Sequence, residues 1–395
     1  MRSIAAERSA AGTSVGDAAR PQRRADVAYG LGLGLGILFI VILGPLERRI
    51  ELAHINDFSG LWSGARAIVL GIDPYETTGW RALVDSLGVH DSGALVNDYF
   101  PWVSLALLPF GFLSVEAAGW IWMVLTVVAG ALGLRALLRA YLPGRAIEHG
   151  IFGLALLVTQ PGFHTLVLGQ WAFLLLAAVS ASVLALRADR PVRAGLLSLA
   201  FLLKPQLFVF TALRLFMQRR VAIVGVLSGA AVVVVSTALF PHWIGAWLSD
   251  VGPVRIVRSA SVPVALSDLF GPAGATAGYA LILVGAFVAT RFGVRSNASL
   301  AVWLALSSAG AIYTWSYDDL LLLVPIVIAA SVLLARRGPA SARIFALSTV
   351  GVLFLVSPLF YALAVARHRE SFTAAIPVLL FVVVVARLWP YRKTA

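Results

Sequence analysis

The sequence predicts an all-α, polytopic membrane protein, and three observations carry that prediction. Of its 395 residues, 60% are hydrophobic and only 13% are charged. The mean hydropathy of +0.90 lies beyond what a soluble domain of ordinary composition reaches. Apolar stretches of roughly 17 to 22 residues recur from Val27 to Leu388, each bounded by arginine or by Gly, Pro and Trp clusters, and this is the length a helix needs to cross a bilayer. A soluble enzyme built on one hydrophobic core is excluded. The absence of cysteine excludes disulfides, thiolate metal sites and a cysteine nucleophile, and the six scattered His show no metal-ligand spacing.

The segments are justified in order along the chain. Residues 1–25 are rich in Ala, Arg and Ser without an apolar run, so they read as a disordered cytosolic tail and not as a signal peptide. The run Val27 to Leu46 ends on Glu47, Arg48 and Arg49 with no small-residue cleavage site, and is expected to stay as an anchor. The long segment 47–100 follows. Within it, Phe58, Leu61, Trp62, Ala65 and Val69 recur at helical spacing, and Gly71 stops the pattern before Asp73-Pro74-Tyr75. That helix is expected to lie flat at the outer membrane surface. The piece Trp102 to Leu113 is too short to cross and reads as broken or re-entrant, while Ala194 to Met217 splits at Lys204-Pro205 into two half-spans. Counting every apolar segment gives thirteen crossings and setting the short piece aside gives about twelve, in a single membrane domain over 26–393.

Cations fix the expected orientation. Stations in the N-terminal tail and around Arg135, Arg187, Arg214, Arg291, Arg336 and Arg387 hold 22 of the 31 Lys and Arg residues, which by the positive-inside rule marks those turns as cytosolic. The net charge of +12 therefore records topology, and no nucleic-acid partner is expected. Both termini fall inside. The remaining turns face outward: 47–100, Gln160 to Gln170, the Lys204 break, the second loop 241–274, Tyr313 to Asp319 and Ala366 to Ala374, with Trp62, Trp80, Trp102, Trp171, Trp243, Trp247 and Trp315 in or beside them.

The acids gather on that outer side. Eight of the 19 fall between Glu47 and Asp98, in a segment too long to be a mere connector. Asp57 stands just before the amphipathic helix, where it serves either as an N-cap or as a general base at the membrane surface. Lys204, one of two lysines in the chain, lies inside an apolar stretch, where a charge costs roughly 2.5 to 3.5 kcal/mol and calls for compensation. It is either a snorkelling side chain or a cation for a lipid phosphate. Asp318 and Asp319 either cap the next span or face an outer cavity beside Tyr317, and Gln170 is either a turn amide or a hydroxyl ligand. Arg255 and Arg258 could touch lipid headgroups or a substrate phosphate.

Several short motifs occur in the order seen in one family: Asp57-Phe58 with Trp62, Arg66 and Gly71-Ile72-Asp73-Pro74-Tyr75, then Tyr99-Phe100-Pro101 with Pro109, Gly169-Gln170, Lys204-Pro205-Gln206, and Tyr317-Asp318-Asp319-Leu320 with Pro325. In this the chain resembles the bacterial glycosyltransferase family 87 proteins, multi-spanning enzymes of the GT-C fold that include mycobacterial polyprenol-phosphate-mannose-dependent mannosyltransferases. The resemblance implies transfer of a hexose, mannose foremost, from a polyprenyl-phosphate carrier to a glycolipid or polysaccharide acceptor at the outer face of the bacterial cytoplasmic membrane, with inversion at the anomeric carbon. It places Asp57 at the family's catalytic acidic position, and Trp62, Arg66, Tyr99, Gln170, Lys204, Tyr317, Asp318 and Asp319 among substrate-binding residues. Many members carry His where Tyr317, Asp318 and Asp319 stand here, so a His-assisted step is not expected at that turn. No metal or other cofactor is called for, because a single phosphate is a gentler leaving group than a nucleotide pyrophosphate.

Two other classes compete. A transporter or lipid-carrier flippase would place its charges near the bilayer midplane and show related halves, whereas these acids gather at one face and no internal repeat is evident. A structural membrane subunit accounts for neither Lys204 nor the acid-rich segment.

Overall fold

A computed structural model describes residues 15–43, 57–88, 95–250, 259–294 and 296–392, and among them every regular element is helical. The expectations placed on Glu47, Glu51, Asp91, Arg255, Arg258 and residues 1–14 lie outside the described residues.

Helix α1 (Val15–Leu43) starts ten residues before the expected end of the tail, so residues 15–25 are helical. Tertiary contacts explain the difference: Ala25 is fully buried, Asp26 accepts from Arg139 Nε at 2.8 Å, and the Gln22 side chain accepts from Gly144 N at 3.1 Å. Four elements follow, α2 (Asp57–Val69), α3 (Thr77–Leu87) and the short α4 (Pro101–Ala106) and α5 (Leu108–Gly111). The last two are the segment expected to be broken. Next come α6 (Val115–Tyr141), α7 (Ala146–Val158) and α8 (Gln160–Leu168). Helix α6 is capped by Ser114, whose hydroxyl accepts from Ala117 N, and carries Glu116 in its first turn and Arg139 in its last, both favourable to the helix dipole.

The glycine-rich face of α1 lets it press on α7, since a β-carbon on Gly32 would stand 2.0 Å from the Gly150 carbonyl oxygen. This is small-residue packing, the usual way apolar helices associate where lipid removes the hydrophobic drive. Then follow α9 (Ala172–Arg187), α10 (Pro191–Leu197) with a 3₁₀ extension Ser198–Leu203, and α11 (Pro205–Phe216). Pro205 disfavours helical dihedrals at the residue before it, and Lys204 accordingly breaks the path with φ −143°. The expected half-spans on either side are both present.

The chain continues through α12 (Arg219–Leu239), α13 (Trp243–Asp250), α14 (Val262–Phe270), α15 (Pro272–Thr290) and α16 (Asn297–Ala309). A 3₁₀ turn, Ser316–Leu322, leads into α17 (Leu323–Arg337), and α18 (Pro339–Gly351), a π-type turn, α19 (Ser357–Arg367) and α20 (Ala375–Leu388) complete the order. Residues 298–309 of α16 are all buried, as are Ser316 to Ala330, so these two segments form the centre of the bundle. A helix apolar on every side must sit there.

Among the described residues seven helices are long and apolar enough to cross a membrane, and an eighth arises if α7 and α8, bent by 44°, form one span. Four shorter apolar helices, Ala172–Arg187, Pro191–Leu203, Pro205–Phe216 and Asn297–Ala309, fall below span length. By length and composition alone, seven or eight helices are spans, and the expected count of about twelve depends on whether the four shorter helices also cross.

Candidate active site

The site is built on the start of α2. Phe58, Leu61, Trp62 and Ala65 point into the bundle, with the Phe58 ring stacked on Trp122 of α6 at 5.7 Å. The opposite side of α2 carries Ser59, Ser63, Gly64 and Ala67, which are also buried. The helix is therefore enclosed on most sides instead of lying one-sided on a surface. Its small residues are the reason, since they admit a second layer: Asn97 and Ser104, hydrogen-bonded to each other at 2.9 Å, close over Gly64.

That second layer is the stretch 95–100, pinned from two sides. Asp250, the last residue of α13, accepts from Leu95 N and Val96 N at 2.5 and 3.0 Å, and Trp247 Nε1 donates to the Asp98 carbonyl at 2.9 Å. Phe100 stacks on Trp102 at 4.7 Å and lies 5.0 Å from Trp247. Asn97 N donates to the Pro74 carbonyl at 2.8 Å, and the Tyr75 hydroxyl donates to that of Tyr99. The second expected outer loop thereby buttresses the first.

Asp57 is half-buried and accepts a 2.6 Å hydrogen bond from Gln170 Nε2. Gln170 is held by its neighbours. Gly169 ends α8 in the left-handed region at φ +65°, where a β-carbon would also meet Phe58 at 2.7 Å, so both the dihedral and the close approach require glycine. The Gly169 carbonyl accepts from Trp122 Nε1 at 2.8 Å, and Trp122 meets Trp171 edge-on at 4.7 Å. The other side-chain atom of Gln170, Oε1, is buried without a hydrogen-bond partner. Tyr99 completes this group. Burial, and then the nearby Asp57 carboxylate and Tyr313, push the Tyr99 hydroxyl well above its usual range, so it stays neutral and able to donate.

A second group faces the first across the site. Lys204 Nζ donates to Asp318 Oδ1 at 2.8 Å and sits 4.4 Å above the centre of the Tyr317 ring. Asp318 Oδ2 accepts from Trp315 N at 3.2 Å and from the Thr314 hydroxyl at 3.4 Å. The acid is thus cap and counter-ion at once, and Lys204, expected to be a snorkelling side chain or a partner for lipid phosphate, is compensated within the protein. Asp319 is buried beside Asp318, and both lie within electrostatic reach of Glu370. Thr165 ties the two groups together: its hydroxyl donates to the Tyr317 carbonyl at 3.3 Å and its carbonyl accepts from Gln170 N at 3.0 Å.

Trp62 and Arg66 stand apart from it. Trp62 Nε1 donates to the Phe110 carbonyl and Arg66 Nη1 to that of Gly111, both at 3.0 Å, and the two line a separate cavity of about 440 Å³ with Ser86, Phe112 and Glu116. Nine residues of helix put Arg66 on the face opposite Asp57, and the Trp62 and Arg66 side chains both donate to carbonyls of α5, so the structure does not bring them to the Asp57 group.

Sequence reading missed a network behind Tyr317. Glu370 Oε2 accepts from Ser316 N at 3.0 Å. The Ser316 hydroxyl lies 3.3 Å from both Gln160 Nε2 and His164 Nδ1, and the Tyr361 hydroxyl lies 3.1 Å from His164 Nε2. The His164 ring meets Tyr317 edge-on at 5.7 Å. Glu370 carried a signal of the same kind as Asp318, an acid opening a long apolar run. His164 carried none. Among the described residues no cluster of three or more His, Cys, Asp or Glu is placed to hold a metal ion.

A helical membrane bundle with carboxylates, an amide, a buried lysine and aromatic rings gathered at helix ends is equipped to bind a polar, ring-bearing substrate and to move a proton. The profile described as Glycosyltransferase family 87 matches residues 99–358, about two thirds of the chain, and the protein belongs to that family. It is a membrane glycosyltransferase. The matched region begins at Tyr99, contains Gln170, Lys204, Tyr317, Asp318 and Asp319, and leaves Asp57 outside. No curated protein and no solved structure matches the chain.

Proposed function

We propose that the protein moves a hexose, mannose foremost, from a polyprenyl-phosphate carrier to a glycolipid or polysaccharide acceptor at the outer face of the bacterial cytoplasmic membrane, with inversion. The observation that supports this reading best is the Asp57 carboxylate held by Gln170, which Thr165 joins to Tyr317 and so to the Lys204 cation above its ring. In a single displacement the acceptor oxygen attacks the anomeric carbon and gives its proton to Asp57. The bond from that carbon to the phosphate oxygen breaks, and its electron pair leaves with the lipid phosphate. Lys204 has two further N–H donors beyond the one on Asp318, and in this reading they stabilise the developing charge. Tyr99, Tyr313 and Tyr317 offer hydroxyls and flat faces to the sugar.

In this reading the four shorter apolar helices cross together with the eight longer spans, giving twelve crossings, both termini on the cytosolic side and the site outside. The cation stations support that orientation, with residues 26–393 as one membrane domain. The test is incubation of the purified protein with a panel of polyprenyl-phosphate sugars and mass spectrometry of the products. Hexose transfer from the mannosyl carrier is the expected result. Transfer only from nucleotide sugars would overturn the proposal.

A further inference from the structure

A second polar cavity, of about 430 Å³, lies at the other end of the bundle, at the junction between α6 and α7. It is separated from the Asp57 end by the 27 residues of α6, about 40 Å of helix. Arg20 and Arg24 of α1, Arg145 and Arg343 of α18 line it, together with Gly144, Ala146, Ile147 and a single acid, Glu148. Four guanidinium groups against one carboxylate give it a strong positive field. The start of α7 adds to this, because its N-cap residue, Arg145, supplies no side-chain acceptor for the first-turn N–H groups.

Glu148 is the informative residue. It is 1% exposed; its Oε1 receives Arg145 Nη2 at 2.8 Å and faces Arg343 Nε at 3.5 Å, while its Oε2 is buried with no hydrogen-bond partner. An orphaned buried carboxylate oxygen on the wall of a basic cavity calls for a ligand that brings both an anion and a neutral donor. Inorganic phosphate or a phosphate monoester carries about −1.5 to −2 charge at neutral pH, against −1 for a phosphodiester, and so sets more like charge against Glu148. The surroundings are apolar on the membrane side: Ile147 on the rim is 48% exposed, and Val27 and Leu31, one and two turns along α1 from Arg24, are 55% and 64% exposed.

We propose that this cavity binds an anionic phospholipid whose headgroup carries free hydroxyls, of phosphatidylglycerol type. The phosphodiester sits among Arg20, Arg24 and Arg343, the buried Glu148 carboxylate turns toward the cavity so that Oε2 accepts from a headgroup hydroxyl, and the acyl chains lie along the exposed face of α1. Basic clefts between helices are suited to anionic headgroups, and here the lipid ties α1 to α7 and α18.

Native mass spectrometry of the full chain in detergent, titrated with defined lipids, tests this. Phosphatidylglycerol should be retained over phosphatidylcholine, and over phosphatidylmethanol, which has the same charge but no hydroxyl, by about tenfold, the effect of one hydrogen bond to a charged group. Arg20→Gln with Arg24→Gln, both exposed and far from Asp57, should lower retention by at least about tenfold, as loss of two phosphate contacts would. Glu148→Gln should erase the preference over phosphatidylmethanol, and Asp57→Asn should leave all binding unchanged. Equal retention of phosphatidylglycerol and phosphatidylcholine, or retention untouched by the double arginine variant, would overturn the proposal. So would stronger retention of polyprenyl phosphate or inorganic phosphate.

Discussion

Asp57 and Asp318 sit in one neighbourhood and are held in opposite ways. Asp318 receives a buried ammonium group, a backbone N–H and a hydroxyl, so each of its oxygens is committed. Asp57 receives a neutral amide from Gln170 on one oxygen and is half-buried. A lysine partner stabilises the charge of a carboxylate so strongly that it ceases to be a useful base, whereas an amide orients the group without taking away its affinity for a proton. The difference separates chemistry from architecture. The proposed base is Asp57, and Asp318 is the group that lets a lysine exist inside the bundle.

Substitutions at these two acids and around them should therefore fail differently. The largest effect is expected for Asp57→Asn, with kcat falling by about 10²- to 10⁴-fold, the usual contribution of a general base, at unchanged melting temperature. Full turnover by this variant would remove the assignment of Asp57 as base. Lys204→Met should instead reduce stability in detergent by roughly 3–5 kcal/mol, because it strands Asp318 without its counter-ion. Adding Asp318→Leu should recover part of the melting temperature, short by the lost cap on Trp315 N, but not transfer. If the single variant melts like the parent, the pair is not structural.

Gly169→Ala comes next. It should lose about 1–3 kcal/mol, since a β-carbon is strained at φ +65° and collides with Phe58. Because Gln170 would shift with the turn, kcat should fall along with stability, and an alanine variant of ordinary melting temperature would contradict the geometry of the turn.

Much of the site was legible in the sequence because membrane burial makes polar residues conspicuous. Asp57, Gln170, Lys204, Tyr317, Asp318 and Asp319 interrupt apolar stretches or stand at their edges, and the structure brings them together. The break at Lys204 followed from Pro205. What could not be read was pairing across distance. The Lys204 to Asp318 contact joins residues 114 apart, and Ser316 to Glu370 joins residues 54 apart, with nothing local to announce either. The enclosure of α2 was hidden for a related reason, since Ser59, Ser63 and Gly64 read as a polar face until Asn97 and Ser104 cover them. The start of α1 was misread because contacts with Arg139 and Gly144 outweigh its tail-like composition.

The smallest expected effect sharpens the contrast along α2 itself. Arg66 lies on the same helix as Asp57 but donates to the Gly111 carbonyl, where α5 crowds so close that a β-carbon on Gly111 would meet the Ala65 carbonyl oxygen at 2.7 Å. Arg66→Gln removes one charge-assisted hydrogen bond at a partly exposed position and should lower stability by about 1 kcal/mol. If Arg66 were a substrate ligand, the donor KM would rise while the melting temperature stayed put. If it clamps α2 onto α5, the melting temperature drops slightly and both KM and kcat hold, because the Asp57 end of the helix is fixed independently by Gln170 and by the Phe58 stack on Trp122.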